Sequence, residues 1–246
     1  MNIELLDMCR LTILAKSYVK NGKFVSQLAA SATVDRRLFQ FASEEKDGTV
    51  CETTTCEEWL AELSHRGATD FKLIMPDELD SFEKLDRANG LPCCIICFYG
   101  NRATVWNKLW IYDPSTGKWH VRLTESTIDR THEKPVFHDV TENMTALLER
   151  IRQLSRTLRL SEFSFRFTAA LKALQTDLVE PSVLAPAQHR LFRAASEAYV
   201  FGGKGSWTDT AKTAAEGKDL ADEYVFLTKE LYRGIALSVM YAVNEW

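Results

Sequence analysis

Glycine and proline are scarce, at 11 and 6 of 246 residues. That excludes collagen-like and low-complexity chains and leaves no material for long flexible linkers. No stretch reaches the ~18 consecutive apolar residues of a spanning helix. The first residues carry Glu4 and Asp7 and lack both a basic start and a small-residue cleavage site, so no secretory leader is expected. Six cysteines are too few for a disulfide-dense secreted scaffold, and without an export signal they are expected to stay reduced in a cytoplasmic protein. Neither charge sign dominates: 30 Lys and Arg stand against 34 Asp and Glu, for a net charge of −4. A dedicated nucleic-acid binder would be basic over at least one domain.

Familiar catalytic strings are missing as well. There is no GxSxG elbow, no HExxH and no GxxxxGK[ST] loop. The catalytic residues are therefore unknown at this level, and no cofactor is expected. Cys94 and Cys97 with Cys51 and Cys56 have the count for a four-cysteine metal site. On a strand, however, thiols three apart point to opposite faces, so buried cysteines and no metal are expected. His132 and His138 flank a loop-like stretch without ligand spacing.

The hydrophobic fraction is 46% and the charged fraction 26%, which are the proportions of a folded protein with a proper core. Residues 4–20 have a helical apolar stripe through Leu5, Cys9 and Ile13. Residues 24–46 are ambiguous, and a helix capped by Asp35 and carrying Leu38, Phe39 and Ala42 is one reading of them. Thr55 followed by Glu58 is a capping box that opens a short helix. Residues 71–75 read as a strand, 77–88 as a helix, and the all-apolar run at 93–99 as a buried strand. Residues 104–112 and 118–124 form a hairpin across 113–117. A register with Tyr112 opposite Lys118 collects Leu109, Ile111, Trp119, Val121 and Leu123 on a core face. It leaves Lys108, Trp110, Tyr112, His120 and Arg122 on the other.

Beyond residue 140 the periodicity turns helical. Thr141 is read as the cap of a helix running past Leu158. Others follow near 161–178, from Ala187 and from about 219. The fold class expected is α+β, with an antiparallel or mixed sheet centred on residues 71–124, helices packed on it and a mainly helical C-terminal half. The division expected is 1–140 around the sheet and 141–246 helical, the two packed as one unit.

Two surfaces stand out as candidates. The string at 200–209 concentrates three of the eleven glycines, Gly202, Gly203 and Gly205, beside Lys204, Ser206, Trp207 and Asp209. Such a loop can offer backbone N–H groups and a cation to an anion or a partner. It also reads as a tight helix-to-helix connection plugged by Phe201 and Trp207. The second is the hairpin face with Trp110, His120 and Arg122, a palette common in recognition surfaces.

Charge is segregated too. Residues 44–86 hold thirteen acidic against four basic side chains, and residues 150–166 hold five Arg against one Glu. Solvated helix faces account for both. The reading that follows is a cytoplasmic, non-catalytic protein that binds another protein, as a regulator, inhibitor or immunity-type factor. The second reading is an enzyme or ligand-binding domain that recognises a phosphorylated or nucleotide ligand, a small anion, through 201–209. Nucleic acid ranks last as a partner and a membrane is not expected.

Overall fold

The apolar run that begins at Cys93 becomes an interior strand, and the sheet is built outward from it. In the computed structural model, which describes residues 1–42, 51–78, 91–128, 133–176 and 182–246, that strand is β4 (Cys94–Tyr99). The other strands are β1 (Val34–Gln40), β2 (Glu52–Thr53), β3 (Asp70–Ile74), β5 (Arg102–Asp113) and β6 (Lys118–Thr127). Their spatial order is β2-β1-β6-β5-β4-β3. All neighbours are antiparallel except β1 and β6, which run parallel. Helices α1 (Ile3–Asn21), α2 (Ser26–Ala29) and α3 (Cys56–His65) complete this part. The second half is helical: α4 (Thr141–Thr157), α5 (Ser161–Gln175), α6 (Pro186–Ala198), α7 (Trp207–Glu216) and α8 (Ala221–Asn244). The fold is α+β, with a mixed six-stranded sheet.

The chain divides into two compact units. One comprises Glu4–Ile74 and Pro92–Pro135, the other Met1–Ile3, Met75–Leu91 and Val136–Trp246.

In the sheet unit, α3 forms where the capping box predicts it. Thr55 Oγ1 accepts from Glu58 N–H at 3.1 Å, and Glu58 Oε2 accepts from Thr55 N–H at 3.2 Å. Thr55→Ala removes one partner of this pair and is expected to cost ~1 kcal/mol in a denaturant titration. The helix is pinned to the sheet by rings. Trp59 stacks on Phe39 at 4.7 Å and meets Trp106 edge-on at 5.6 Å. On the same side α1 buries Leu5, Met8, Cys9, Leu11 and Leu14 completely. It also holds the sheet by ion pairs: Glu4 with Lys108 of β5 at 3.3 Å, Asp7 with Arg37 of β1, and Lys16 with Asp70 of β3 at 3.2 Å.

In the helical unit, Trp207 is the plug. Its ring meets Phe163 at 5.3 Å and Phe167 at 5.5 Å edge-on, and its Nε1–H donates to Thr228 Oγ1 at 2.9 Å. Leu148, Ile151, Leu191, Leu231 and Ile235 are fully buried around the same core.

Four sequence expectations need correction. Residues 34–40 are a strand, not a helix capped by Asp35. A bulge between Val34 and Arg36 breaks the period-two alternation that would have shown it. The N-cap of α4 is Val140, without a side-chain cap, and Thr141 is inside the helix, its N–H and hydroxyl donating to Asp139 Oδ1 at 2.8 and 2.6 Å. The C-terminal half has a helix more than the sequence predicts, α7, directly after the glycine loop. The helix expected over 77–88 falls, from residue 79 on, outside the described residues.

The fourth correction matters most for function. The hairpin pairs Asp113 with Lys118, Trp110 with Val121 and Leu109 with Arg122, one residue away from the expected register. The turn explains the shift. Asp113 Oδ1 accepts from Ser115 N–H at 2.9 Å and from Ser115 Oγ at 2.6 Å, and Oδ2 accepts from Thr116 Oγ1 at 3.1 Å. Gly117 N–H closes back on Asp113 O at 2.9 Å, with Gly117 at φ +66°. The loop is thus four residues, 114–117, and Asp113 becomes the last paired residue of β5. The hydroxyl and N–H of Ser115 hold the Asp113 carboxyl below its ordinary range.

Candidate functional site

The register sorts the hairpin residues by face. Toward α1 and α3 point Thr104, Trp106, Lys108 and Trp110 of β5, with Val121, Leu123 and Glu125 of β6, and most of these are nearly inaccessible. Away from the helices point Asn107, Leu109 and Ile111, with His120, Arg122 and Thr124. Trp110 is therefore buried in the core, while His120 and Arg122 lie together on the outer face. Leu109 and Ile111, expected in the core, are 44% and 45% exposed.

Across the parallel pairing, β1 extends this outer face. Leu38 lies beside Arg122, and Arg36 beside His120. The result is one row of Leu38, Arg122 and Leu109 and a second of Arg36, His120 and Ile111. His120 Nε2 is 3.5 Å from Asp35 and 3.8 Å from Asp113. Asp35 is also within 3.7 Å of Lys118 and 3.6 Å of Arg36. Arg122 is exposed and has no hydrogen-bond or ion-pair partner among the described residues.

The 200–209 loop is placed differently from a ligand cradle. Gly202, Gly203 and Gly205 adopt φ of +89°, +84° and +80°, which a side chain would oppose. Their backbone serves the turn. Gly205 N–H donates to Asp209 Oδ2 at 2.8 Å, Ser206 N–H to Gly203 O at 3.2 Å and Trp207 N–H to Val200 O at 3.0 Å. Ser206 precedes α7 and is buried, with its hydroxyl 2.9 Å from Thr208 Oγ1. Trp207 is in the core, so it offers no ring to a ligand. Gly202, Gly203, Lys204 and Gly205 are exposed at the tip, and of these Lys204 is the one that carries a side chain. A phosphate arriving here would meet a carboxylate and N–H groups already engaged. Lys204→Ala is expected to change unfolding free energy by less than ~0.5 kcal/mol. Thermal unfolding with and without nucleotide should be the same for the variant and the parent.

Sequence reasoning passed over a buried polar network on the inner face. Glu125 accepts from Thr104 Oγ1 at 2.6 Å, Tyr99 Oη at 3.0 Å and Ala42 N–H at 3.1 Å, with Arg66 at 3.7 Å. Arg66 also donates to Glu62 at 2.6 Å and lies 4.4 Å over the Phe41 ring. Burial, then the neighbouring Cys97 and Glu125, push the Tyr99 hydroxyl far above its usual range. The signal was in the alternation, since Glu125 follows Val121 and Leu123 at core positions. The carboxylate is fully committed to its neighbours, which is the condition for holding a charge in a core.

Of the thiols, Cys9, Cys56, Cys93 and Cys97 are buried, whereas Cys94 is half-buried and Cys51, expected in the core, is exposed. Cys97 points inward and Cys94 outward, as strand geometry requires. Burial pushes Cys93 up to about 11, against the opposing effect of Lys108, and burial likewise raises Cys9, Cys56 and Cys97. Protonated, buried thiols are poor nucleophiles and poor ligands. Among the described residues no group of three His, Cys, Asp or Glu side chains is arranged to hold a metal. His132 lies outside the described residues.

A cavity of about 360 Å³ beside β1 is lined by the charged Arg36, Arg37, Asp35 and Glu57 and by the uncharged Thr55 and Cys56. Arg37 is already spent on Asp7 and on Ala29 O at 2.9 Å. The arginine stripe of the helical unit is partly occupied too. Arg150 lies 5.4 Å over Phe226, Arg156 donates to Ser164 Oγ at 3.3 Å, and Arg166 is 3.8 Å from Glu197. No helix among the described residues is long and apolar enough to cross a membrane. Comparison of the chain with protein-family models, with curated proteins and with solved structures finds no match.

Proposed function

We propose that this chain is a cytoplasmic, non-catalytic protein-binding factor of the regulator, inhibitor or immunity type, and that it binds through the outer face of β1, β6 and β5. One observation carries the reading. Leu109 and Ile111 stand nearly half exposed in the middle of an ordered sheet face, beside the exposed Arg122. Isolated exposed apolar residues are ordinary, but branched aliphatics side by side on a rigid strand, rimmed by polar groups, are the make-up of an interface. The inner face supports a non-catalytic role. Its charged groups are engaged with one another and its thiols are held protonated, so the chemistry-bearing side chains are committed to the fold.

The test is site-specific photo-crosslinking in the native host. A benzoylphenylalanine at Ile111 is expected to give a discrete adduct with another protein. The same group at Lys204, on the loop tip of the helical unit, is expected to give none. No adduct from Ile111 at expression levels that preserve the folded chain would overturn the proposal.

A further inference from the structure

On the outer face, every charged side chain of the two rows has a counter-charge nearby except one. Asp35 serves Arg36, Lys118 and His120, and Asp113 lies near His120 and is held by its own turn. Arg122 alone is unmatched, and it stands between Leu38 and Leu109, one on each neighbouring strand. The order Leu–Arg–Leu across three strands is set by backbone pairing, so the guanidinium is presented from a rigid floor and not from a loop. An arginine flanked by aliphatic side chains loses water when the leucines are covered. A carboxylate brought to it then forms a two-pronged, charge-assisted pair in a dry setting.

Resting on the reading that this face is the docking surface, we infer that its partner is a protein surface presenting an Asp or Glu carboxylate between apolar side chains, received by Arg122 with Leu38 and Leu109. Two other occupants fit less well. A second copy of the chain, docked about a two-fold axis through the row, sets Arg122 against its own equivalent, and like charges at an interface centre are costly. A nucleic acid needs a track of cations or a ring to stack on. The exposed Tyr112 lies on the other face, against Trp119 at 5.1 Å.

The test uses the full chain and the protein captured from Ile111, purified, by titration at low and at high salt. Arg122→Glu is expected to weaken binding by at least about 30-fold, the size of a hot-spot residue. Arg122→Lys should fall between it and the parent, because lysine keeps the charge and loses the fork. The parent's affinity should decline with salt more steeply than that of Arg122→Glu. Ile111→Asp is the control for the face itself and should abolish binding. If Ile111→Asp abolishes binding while Arg122→Glu leaves it within twofold of the parent, the acidic-partner inference is wrong and the face reading stands. If both variants bind like the parent, or nothing is captured, both fail. A captured species that is a second copy of this chain overturns the inference as well. Circular dichroism of each variant establishes that it is folded.

Discussion

Trp106→Ala is expected to remove ~3–5 kcal/mol of unfolding free energy, as large-to-small changes at buried aromatic positions do. Trp106 is completely buried. It meets Phe41 at 5.0 Å, Trp59 at 5.6 Å and Phe39 at 6.4 Å, so it joins β1, the chain after β1, and α3 to the inner face of β5. The ring also holds Phe39 and Trp59 in their stacked pair. A folded domain has only ~5–15 kcal/mol in hand, so this single change takes a large share. Urea unfolding followed by circular dichroism measures it, and a loss below ~1 kcal/mol would mean that the ring cluster is not the core of the sheet unit.

Lys108→Met is expected to cost a similar ~3–5 kcal/mol for a different reason. Lys108 and Glu4 are both nearly inaccessible and 3.3 Å apart. Removing the lysine takes from the buried Glu4 carboxylate a cation that offsets its desolvation and sets an apolar chain beside it. The paired variant Glu4→Met with Lys108→Met removes both charges and should recover most of the loss. Cys93 gives a second readout. Lys108 opposes the effect of burial on that thiol, so Lys108→Met should move the Cys93 titration further up, away from neutral pH. If the double variant were as unstable as the single, packing and not charge would be the cause.

Much of this fold was legible in the sequence wherever the deciding interactions are local. The capping box at Thr55 and Glu58 acts within one helical turn, and α3 starts there. The apolar run from Cys93 needed no partner to identify it as an interior strand. The regular spacing through Met144, Leu148 and Ile151 gives α4 its length, although Thr141 is its first residue and not its cap. What escaped was non-local or set by a few hydrogen bonds. β1 is specified by a parallel partner some eighty residues further on, and its bulge disguises the alternation. The hairpin register hung on whether Asp113 belonged to the turn or to the strand. Counting apolar residues favoured the register that gathered Leu109, Ile111 and Trp119, because burying every aliphatic side chain looks like the stable choice. The protein instead places Lys108 and Glu125 inside, each with a dedicated partner, and leaves Leu109 and Ile111 outside. Of the candidate residues, His120 and Arg122 were picked with their true neighbours unknown. The sequence pattern sets Trp110 beside them, whereas the structure buries it on the inner face, and the glycine loop forms the connection between α6 and α7 that its sequence also allows.

Both functional statements rest on that one register. It is tested most directly by thiol labelling of single-cysteine substitutions in a Cys51→Ser background, since Cys51 is the exposed native cysteine. In the register described here, Leu109→Cys stands on the outer face and labels with a maleimide at a rate close to that of the unfolded chain. Val121→Cys, paired with Trp110 on the inner face, remains protected under the same native conditions. Equal protection at both positions would place Leu109 and Val121 on a common buried face and contradict the account.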